Sequence, residues 1–441
     1  MSRYWRPEGR ILDQNVRSAR PRADRDERIT LILLGIGALA LAVRVLYVLV
    51  QTRAQLFDAP FVAADSVLYL ELGANIGAGE GMRTDEGPTA FVGPVYPLLI
   101  AVLLRAGLDP LGIGLFQALI GAAAAVLVAL VARELAIAAG YDTRAQPVVM
   151  WVAGIGTALY PHMVLWTGYV LTETLFLCLA AGCVYATLQA ARKASLPAAV
   201  AAGALGSFAS LTRSAFLACA ILILGWLIWS ASGRRYALAV LFFVALAFPM
   251  ALWAARNAAD LGRPIFTATQ GGASLYQGNA RGGTGGSRGY SDSLDAPPLE
   301  LPPGLNEVER DDFYMRHAID DIRADPAGTI ARWPSKLWNM WRPAYEGASL
   351  RNGVVTLATY APLVAFGGAG MVLLAMRSRG ASLPAILVIA WAATHMVIVG
   401  LIRYRVPGEL FLLMAFPFGV EAAWRSASSV LVLRRTARAR R

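Results

Sequence analysis

The feature that most constrains this chain is a series of uncharged apolar runs, each 15 to 22 residues long, recurring through most of its 441 residues. In a bilayer every backbone N–H and C=O must be paired internally, and a helix needs roughly 20 apolar residues to cross a ~30 Å hydrocarbon core. Runs of this length therefore specify spanning helices. Composition agrees, with 57% hydrophobic and 16% charged residues and a mean hydropathy of +0.52, whereas soluble domains carry roughly one quarter charged. A water-soluble fold has no way to cover that much apolar surface. The expected class is an all-α polytopic membrane protein of about 10–11 transmembrane helices.

The candidate spans are 30–50, 92–107, 113–132, 147–162, 170–190, 197–212, 215–231, 236–255, 354–376, 383–401 and 406–424. Two long polar segments, 51–91 and 256–353, interrupt them. Basic residues mark alternate short loops as cytoplasmic: Arg133 with Arg144, Arg192 with Lys193, Arg234 with Arg235, and Arg377 with Arg379. Both long segments then face the exterior, and both termini face the cytoplasm. That arrangement needs an even number of crossings, so one of the eleven runs does not cross. The weakest is 92–107, which is short and carries Pro94 and Pro97 near its start. The chain thus divides into a basic N-terminal segment (1–29), a transmembrane module (30–255) with the exterior loop 51–91, an exterior loop (256–353), C-terminal helices (354–424) and a basic tail (425–441).

The net charge of +11 lies largely at the two ends. It is assigned to anionic lipid at the cytoplasmic surface and not to nucleic acid, because no folded basic module accompanies it. The polar N-terminal stretch is also too long for the n-region of an export signal. Cys178, Cys183 and Cys219 all fall in apolar runs and read as small core residues.

In the first loop, Asp65 to Asn75 places Tyr69, Leu72 and Ile76 on one face, as in a helix lying on the membrane surface. Gly77 to Pro88 reads as a turn or flexible loop. In the second loop, the Gly-rich run Gly271 to Gly289 is expected to hold no regular structure. Asn306 to Ala324 and Pro326 to Trp341 have the apolar spacing of amphipathic helices packed over the membrane domain.

Most span interiors carry no charge, which disfavours an ion-coupled transporter. The charges gather instead at the exterior span ends, in Asp65, Glu173, Arg213, Arg256, Arg403 and Arg405. Asp65 admits two readings, a general base or a helix N-cap; Asp58 is a less favoured base. Each arginine either snorkels to headgroups or binds phosphate with its guanidinium fork. Glu173 either pairs with one of them or simply favours its helix dipole. His162, His317 and His395 show no ligand spacing, so no metal site is expected.

The order of motifs resembles the GT-C membrane glycosyltransferases, in particular the protein mannosyltransferases and aminoarabinose transferases of glycosyltransferase family 39 and its relatives. The carrying residues are DSVLY from Asp65, GPVYPLLIA from Gly93, LTETLF from Leu171, LTR from Leu211, ARN ending at Asn257, GGASLYQGNA from Gly271, the stretch Asp325 to Trp341, and RYRVPGELFLL from Arg403. This resemblance implies a GT-C bundle, a polyprenyl-phosphate-linked sugar as donor, and inverting transfer on the exterior face of the cytoplasmic membrane with Asp65 as base. It further implies a substrate site drawing on Tyr69, Glu173, Arg213, Arg256, Asn257, Gly272, Asn279, Arg403, Tyr404 and Arg405. The glycines and Asn279 would either admit backbone amides close to the sugar or form a plain loop. A donor with a single phosphate makes no metal obligatory, and no cofactor is expected. Ser66 stands where protein mannosyltransferases show an Asp-Glu pair, which leaves a protein, a glycolipid or a polysaccharide open as acceptor. The competing reading is a transporter or flippase of a lipid-linked saccharide.

Overall fold

The computed structural model describes residues 10–54, 64–231, 233–286, 296–343 and 350–439; within them the side chains of 10–25, 52–54, 64, 350–352 and 430–439 are excluded. Asp58 and the outermost basic residues of both termini lie outside the described residues.

The chain is a polytopic all-α membrane protein. The first helix, α1 (Arg10–Ala54), is followed by a hairpin of two short helices, α2 (Ala64–Ala78) and α3 (Val95–Arg105), with a two-residue ladder between them, β1 (Arg83–Thr84) against β2 (Gly87–Pro88). Next come α4 (Pro110–Ala138), α5 (Gln146–Leu159), α6 (Pro161–Leu165), α7 (Glu173–Lys193), α8 (Leu196–Thr212), α9 (Phe216–Ser230) and α10 (Arg235–Leu261). The second long connection holds α11 (Gly271–Asn279), α12 (Glu307–Ala324), α13 (Pro326–Ala331) and α14 (Trp333–Trp341), before α15 (Leu350–Arg377), α16 (Leu383–Val397) and α17 (Val406–Ala439) close the bundle.

Among the described residues six helices are long and apolar enough to cross a membrane, or seven when α5 and the following 161–168 stretch, bent by 55° where Pro161 interrupts the hydrogen-bond ladder, are counted as one broken span. Of the four shorter apolar helices, α8, α9 and α16 traverse the bundle, and α3 does not. Its Tyr96 hydroxyl donates to Gln117 Oε1 near the start of α4 (2.9 Å), and Gln117 in turn donates to Thr167 O and Tyr169 O just before α7. The far end of α4 instead meets the end of α7, where Glu134 binds Arg192 (2.6 Å) and Gln189 (2.7 Å). Thus α1 arrives and α4 departs at the same end of the bundle, and the run 92–107 between them stays there. The described parts of both long connections sit at this loop end, and the first residues of α1 and the last of α17 are directed to the other.

Small residues let the helices approach closely. A Cβ on Gly419 of α17 would lie 2.0 Å from Phe366 O of α15, and one on Gly370 would lie 2.0 Å from Ala415 O. Gly419→Ala is expected to lower stability by about 1–3 kcal/mol through overpacking, measured as a reduced unfolding temperature in detergent.

Two expectations are corrected. The Gly-rich run is regular over Gly271–Asn279, where tertiary packing of α11 on α12 overrides the weak helix propensity of glycine. A Cβ on Gly272 would meet Asp311 O at 2.1 Å and one on Gly278 would meet Ile398 O at 1.6 Å, so contact with neighbours selects glycine there. The span interiors also hold a charge that the sequence reading passed over. Arg44 of α1 is buried and donates to Ala40 O, Ala158 O and Thr157 O, with the carbonyls at the α5 break serving as its acceptors. Gly77 to Pro88, read as a turn or flexible loop, contains a turn closed by the two-residue β1–β2 ladder.

Candidate functional site

At the loop end, a cavity of about 230 Å³ opens between the first turn of α2, the α8–α9 turn, the start of α11 and the chain linking α16 to α17. Asp65 stands in the first turn of α2 and faces it, over half exposed. Tyr69, one turn on, packs edge-to-face on Tyr96 at 5.0 Å. Burial, then the nearby Glu173 carboxylate, raises the Tyr69 phenol above its ordinary pKa and keeps it neutral.

The floor is an ion-pair chain assembled from segments remote in sequence. Arg403 Nη1 donates to Asp65 Oδ2 at 2.8 Å, and its Nε donates to Glu173 Oε1 at 2.5 Å. Arg213 Nη1 reaches the same Glu173 oxygen at 3.1 Å. Glu173 is fully buried in the first turn of α7, where the helix N-terminus also favours its charge. Arg213 lies over the Tyr404 ring at 5.6 Å, Tyr404 stacks on His395 at 4.7 Å, and Arg403 lies over Trp166 at 5.6 Å. Two guanidinium groups are thus balanced by two carboxylates. A negatively charged ligand gains net attraction here only when one carboxylate is protonated or another cation contributes.

Of the residues read from sequence, Asp65, Tyr69, Arg213, Arg403 and Tyr404 line this cavity and Glu173 underlies it. The other five lie elsewhere. Arg256 donates to Met82 O and Thr89 O and pairs with Asp260, bracing the first loop against α10. Asn257 donates to Ile265 O, and the Gly272 N–H donates to Asp311 Oδ1. Asn279 donates to Leu275 O and Val397 O and accepts from Lys336. Arg405 is fully buried on the opposite side of the 402–405 turn, paired with Glu409 beside His162. Its two-residue spacing from Arg403 would put both on one face of an extended segment, but the tight Ile402–Arg405 turn sends the two side chains apart.

Sequence reading missed Thr172, Ser214, Gln270, Ser274, Trp391 and His395 in the lining. Trp391 and His395 belong to an uncharged apolar run and carry no signal of a site.

A second cavity, about 540 Å³, lies across a wall built from the same segments, with Leu68, Phe91, Thr269 and Ala273 on its side. Gln270 Nε2 donates to Phe91 O (2.9 Å) within that wall. Glu307 of α12 ties it together, accepting from Ala90 N (2.8 Å), Thr89 Oγ1 (2.5 Å) and Thr269 Oγ1 (2.7 Å). Among the described residues no group of three or more His, Cys, Asp or Glu side chains has the arrangement of a metal site.

No protein-family model matches this sequence, and no curated protein matches it. Solved structures do resemble it. One is ArnT from Cupriavidus metallidurans bound to undecaprenyl phosphate, at 14% identity and a TM-score of 0.57, covering 88% of this chain and 60% of that one. Another is the Archaeoglobus fulgidus oligosaccharyltransferase tethered to an acceptor peptide with the NVT sequon, at 12% identity and a TM-score of 0.50, covering 90% of this chain and 50% of that one. The chain therefore spans about half to three fifths of the length of these structures. This chain has the fold of these two solved structures, the ArnT and the archaeal oligosaccharyltransferase.

Proposed function

We propose that this protein transfers a sugar from a polyprenyl-phosphate-linked donor to an acceptor at the exterior face of the cytoplasmic membrane, with inversion and with Asp65 as general base. The observation that carries the reading is the convergence of Asp65, Arg213 and Arg403, through Glu173, on one loop-end cavity. Support comes from the undecaprenyl phosphate bound to the similar ArnT structure, and from the basic short loops, which orient the loop end outward.

In the reaction, the acceptor oxygen or nitrogen forms a bond to the anomeric carbon on the face opposite the phosphate. The bond from that carbon to the phosphate oxygen breaks, its electron pair leaves with polyprenyl phosphate, and the acceptor proton passes to Asp65. Arg403 engages Oδ2 of Asp65, so Oδ1 is the atom offered to the acceptor. Protonation of Asp65 also weakens its hold on Arg403. The guanidinium charge then becomes available as negative charge develops on the leaving phosphate, stabilisation that grows towards the transition state. The acceptor, whether a protein, a glycolipid or a polysaccharide, approaches the exposed side of Asp65, and the polyprenyl tail lies among membrane lipids.

Purified protein given a labelled polyprenyl-phosphate sugar and a membrane extract as acceptor source is expected to release free polyprenyl phosphate. Movement of intact lipid-linked sugar between leaflets without release would favour the flippase and end this proposal.

A further inference from the structure

Lys336 of α14 is fully buried beneath the chain that lines the cavity. Its ammonium donates to Asn279 Oδ1 at 2.8 Å, Val397 O at 3.1 Å and Ile398 O at 3.2 Å. The two carbonyls are at the C-terminal end of α16, and Ile398, Val399, Arg403 and Tyr404 all line the site that this segment enters. The surroundings are packed too tightly for side chains. A Cβ on Gly400 would lie 2.2 Å from Lys336 O, one on Gly285 would lie 2.7 Å from Lys336 Cε, and one on Gly278 would strike Ile398 O.

Among the described residues this cation has no counter-ion. The groups facing it from α11, α16 and the Gly285 loop are an amide, two carbonyls and a glycine, all uncharged. On α14 its charged neighbour is Arg332, another cation, which donates to Asn279 O. On α16 the titratable side chain nearest in sequence is His395, whose Nδ1 meets Val399 O. No carboxylate among the described residues pairs with Lys336. Burial, then Arg332, lowers its pKa to about 8. A buried cation without a counter-ion costs stability, and the cavity's own arginines are already balanced by Asp65 and Glu173.

We propose that Lys336 is a positioning residue of the site, holding the 397–404 segment in place and supplying from beneath it the unbalanced positive charge that attracts the donor phosphate. The inference rests on the transferase reading above. Affinity for the phosphate then depends on the fraction of Lys336 that carries its proton.

The test uses undecaprenyl phosphate as ligand and the full-length protein in detergent at pH 7.5 and pH 9. A phosphate monoester has its second pKa near ~6, so the ligand charge changes little in this window. With a binding-competent fraction set by a pKa of about 8, the apparent affinity is expected to fall about eightfold between the two pH values. Lys336→Met, which never carries the charge, is expected to bind more weakly than the wild type does at pH 9, and equally at both pH values. Lys336→Gln, which keeps an N–H donor for Val397 O, serves if the Met variant fails to fold.

Stability should move the other way. The ordinary lysine pKa is 10.5 and the folded value is about 8, so between them the unfolded chain holds the proton and the folded chain does not. Folding stability relative to the Lys336→Met protein therefore rises as the pH passes upward through this interval. A purely structural lysine would not set affinity and stability in opposite directions. Wild-type affinity equal at both pH values, or a Lys336 variant that keeps the wild-type fall, would overturn the inference alone. Absence of binding by folded wild-type protein at either pH would overturn the transferase reading with it.

Discussion

Replacing Asp65 with asparagine is expected to reduce sugar transfer by about 10²- to 10⁴-fold, the range for loss of a positioned general base, while the protein folds and still binds undecaprenyl phosphate. Asparagine keeps the shape and an oxygen acceptor for Arg403, whose second partner, Glu173, is untouched. What disappears is the ability to accept the acceptor's proton. The measurement is release of labelled polyprenyl phosphate by purified wild-type and Asp65→Asn protein, with ligand binding assayed in parallel. Equal release by the two would remove Asp65 from the chemistry. Loss of binding together with release would instead assign it to the donor pocket.

The largest effect on stability is expected at Glu173. This carboxylate is fully buried and pairs with both Arg213 and Arg403, whose side chains are 13% and 16% exposed. Glu173→Ala leaves the mostly buried Arg213 without a carboxylate partner and Arg403 with the half-exposed Asp65 alone, and removing one partner of a buried pair typically costs about 3–5 kcal/mol. A chemical or thermal unfolding series in detergent measures this loss. Glu173→Ala with Arg403→Leu should lose less than the two single losses added together, because both single variants remove the same Arg403–Glu173 ion pair. Additive losses would show that Glu173 does not act through Arg403.

The spans are legible from the sequence because a bilayer imposes one local rule, an uncharged run long enough to pair its own backbone. Every run from 30–50 to 406–424 coincides with a described helix or bent helix pair. Local signals also fitted Glu307–Ala324, whose Asn306 and Glu309 form a reciprocal cap. Other features had no local signal. Gly271–Asn279 is helical through contacts with Asp311 and Ile398 that lie 39 or more residues away. The buried Lys336 appears in the sequence as an ordinary cation on an amphipathic helix. Asn279, Arg256 and Arg405 have the residue types of a binding site, but the structure commits them to bracing the backbone.

By itself the sequence determined the class of the fold, the placement of its helices, and the fact that acidic and basic groups gather at one set of span ends, since hydropathy and the charge of short loops act locally along the chain. Only the tertiary structure decided which charges meet. Asp65 and Arg403 are 338 residues apart in sequence and 2.8 Å apart in space, and that contact depends on the packing of α2, α7, α8 and the 398–405 turn at the loop end. Side-chain electrostatics acts over a few ångströms, so it can be read only after the packing of distant helices has set those distances.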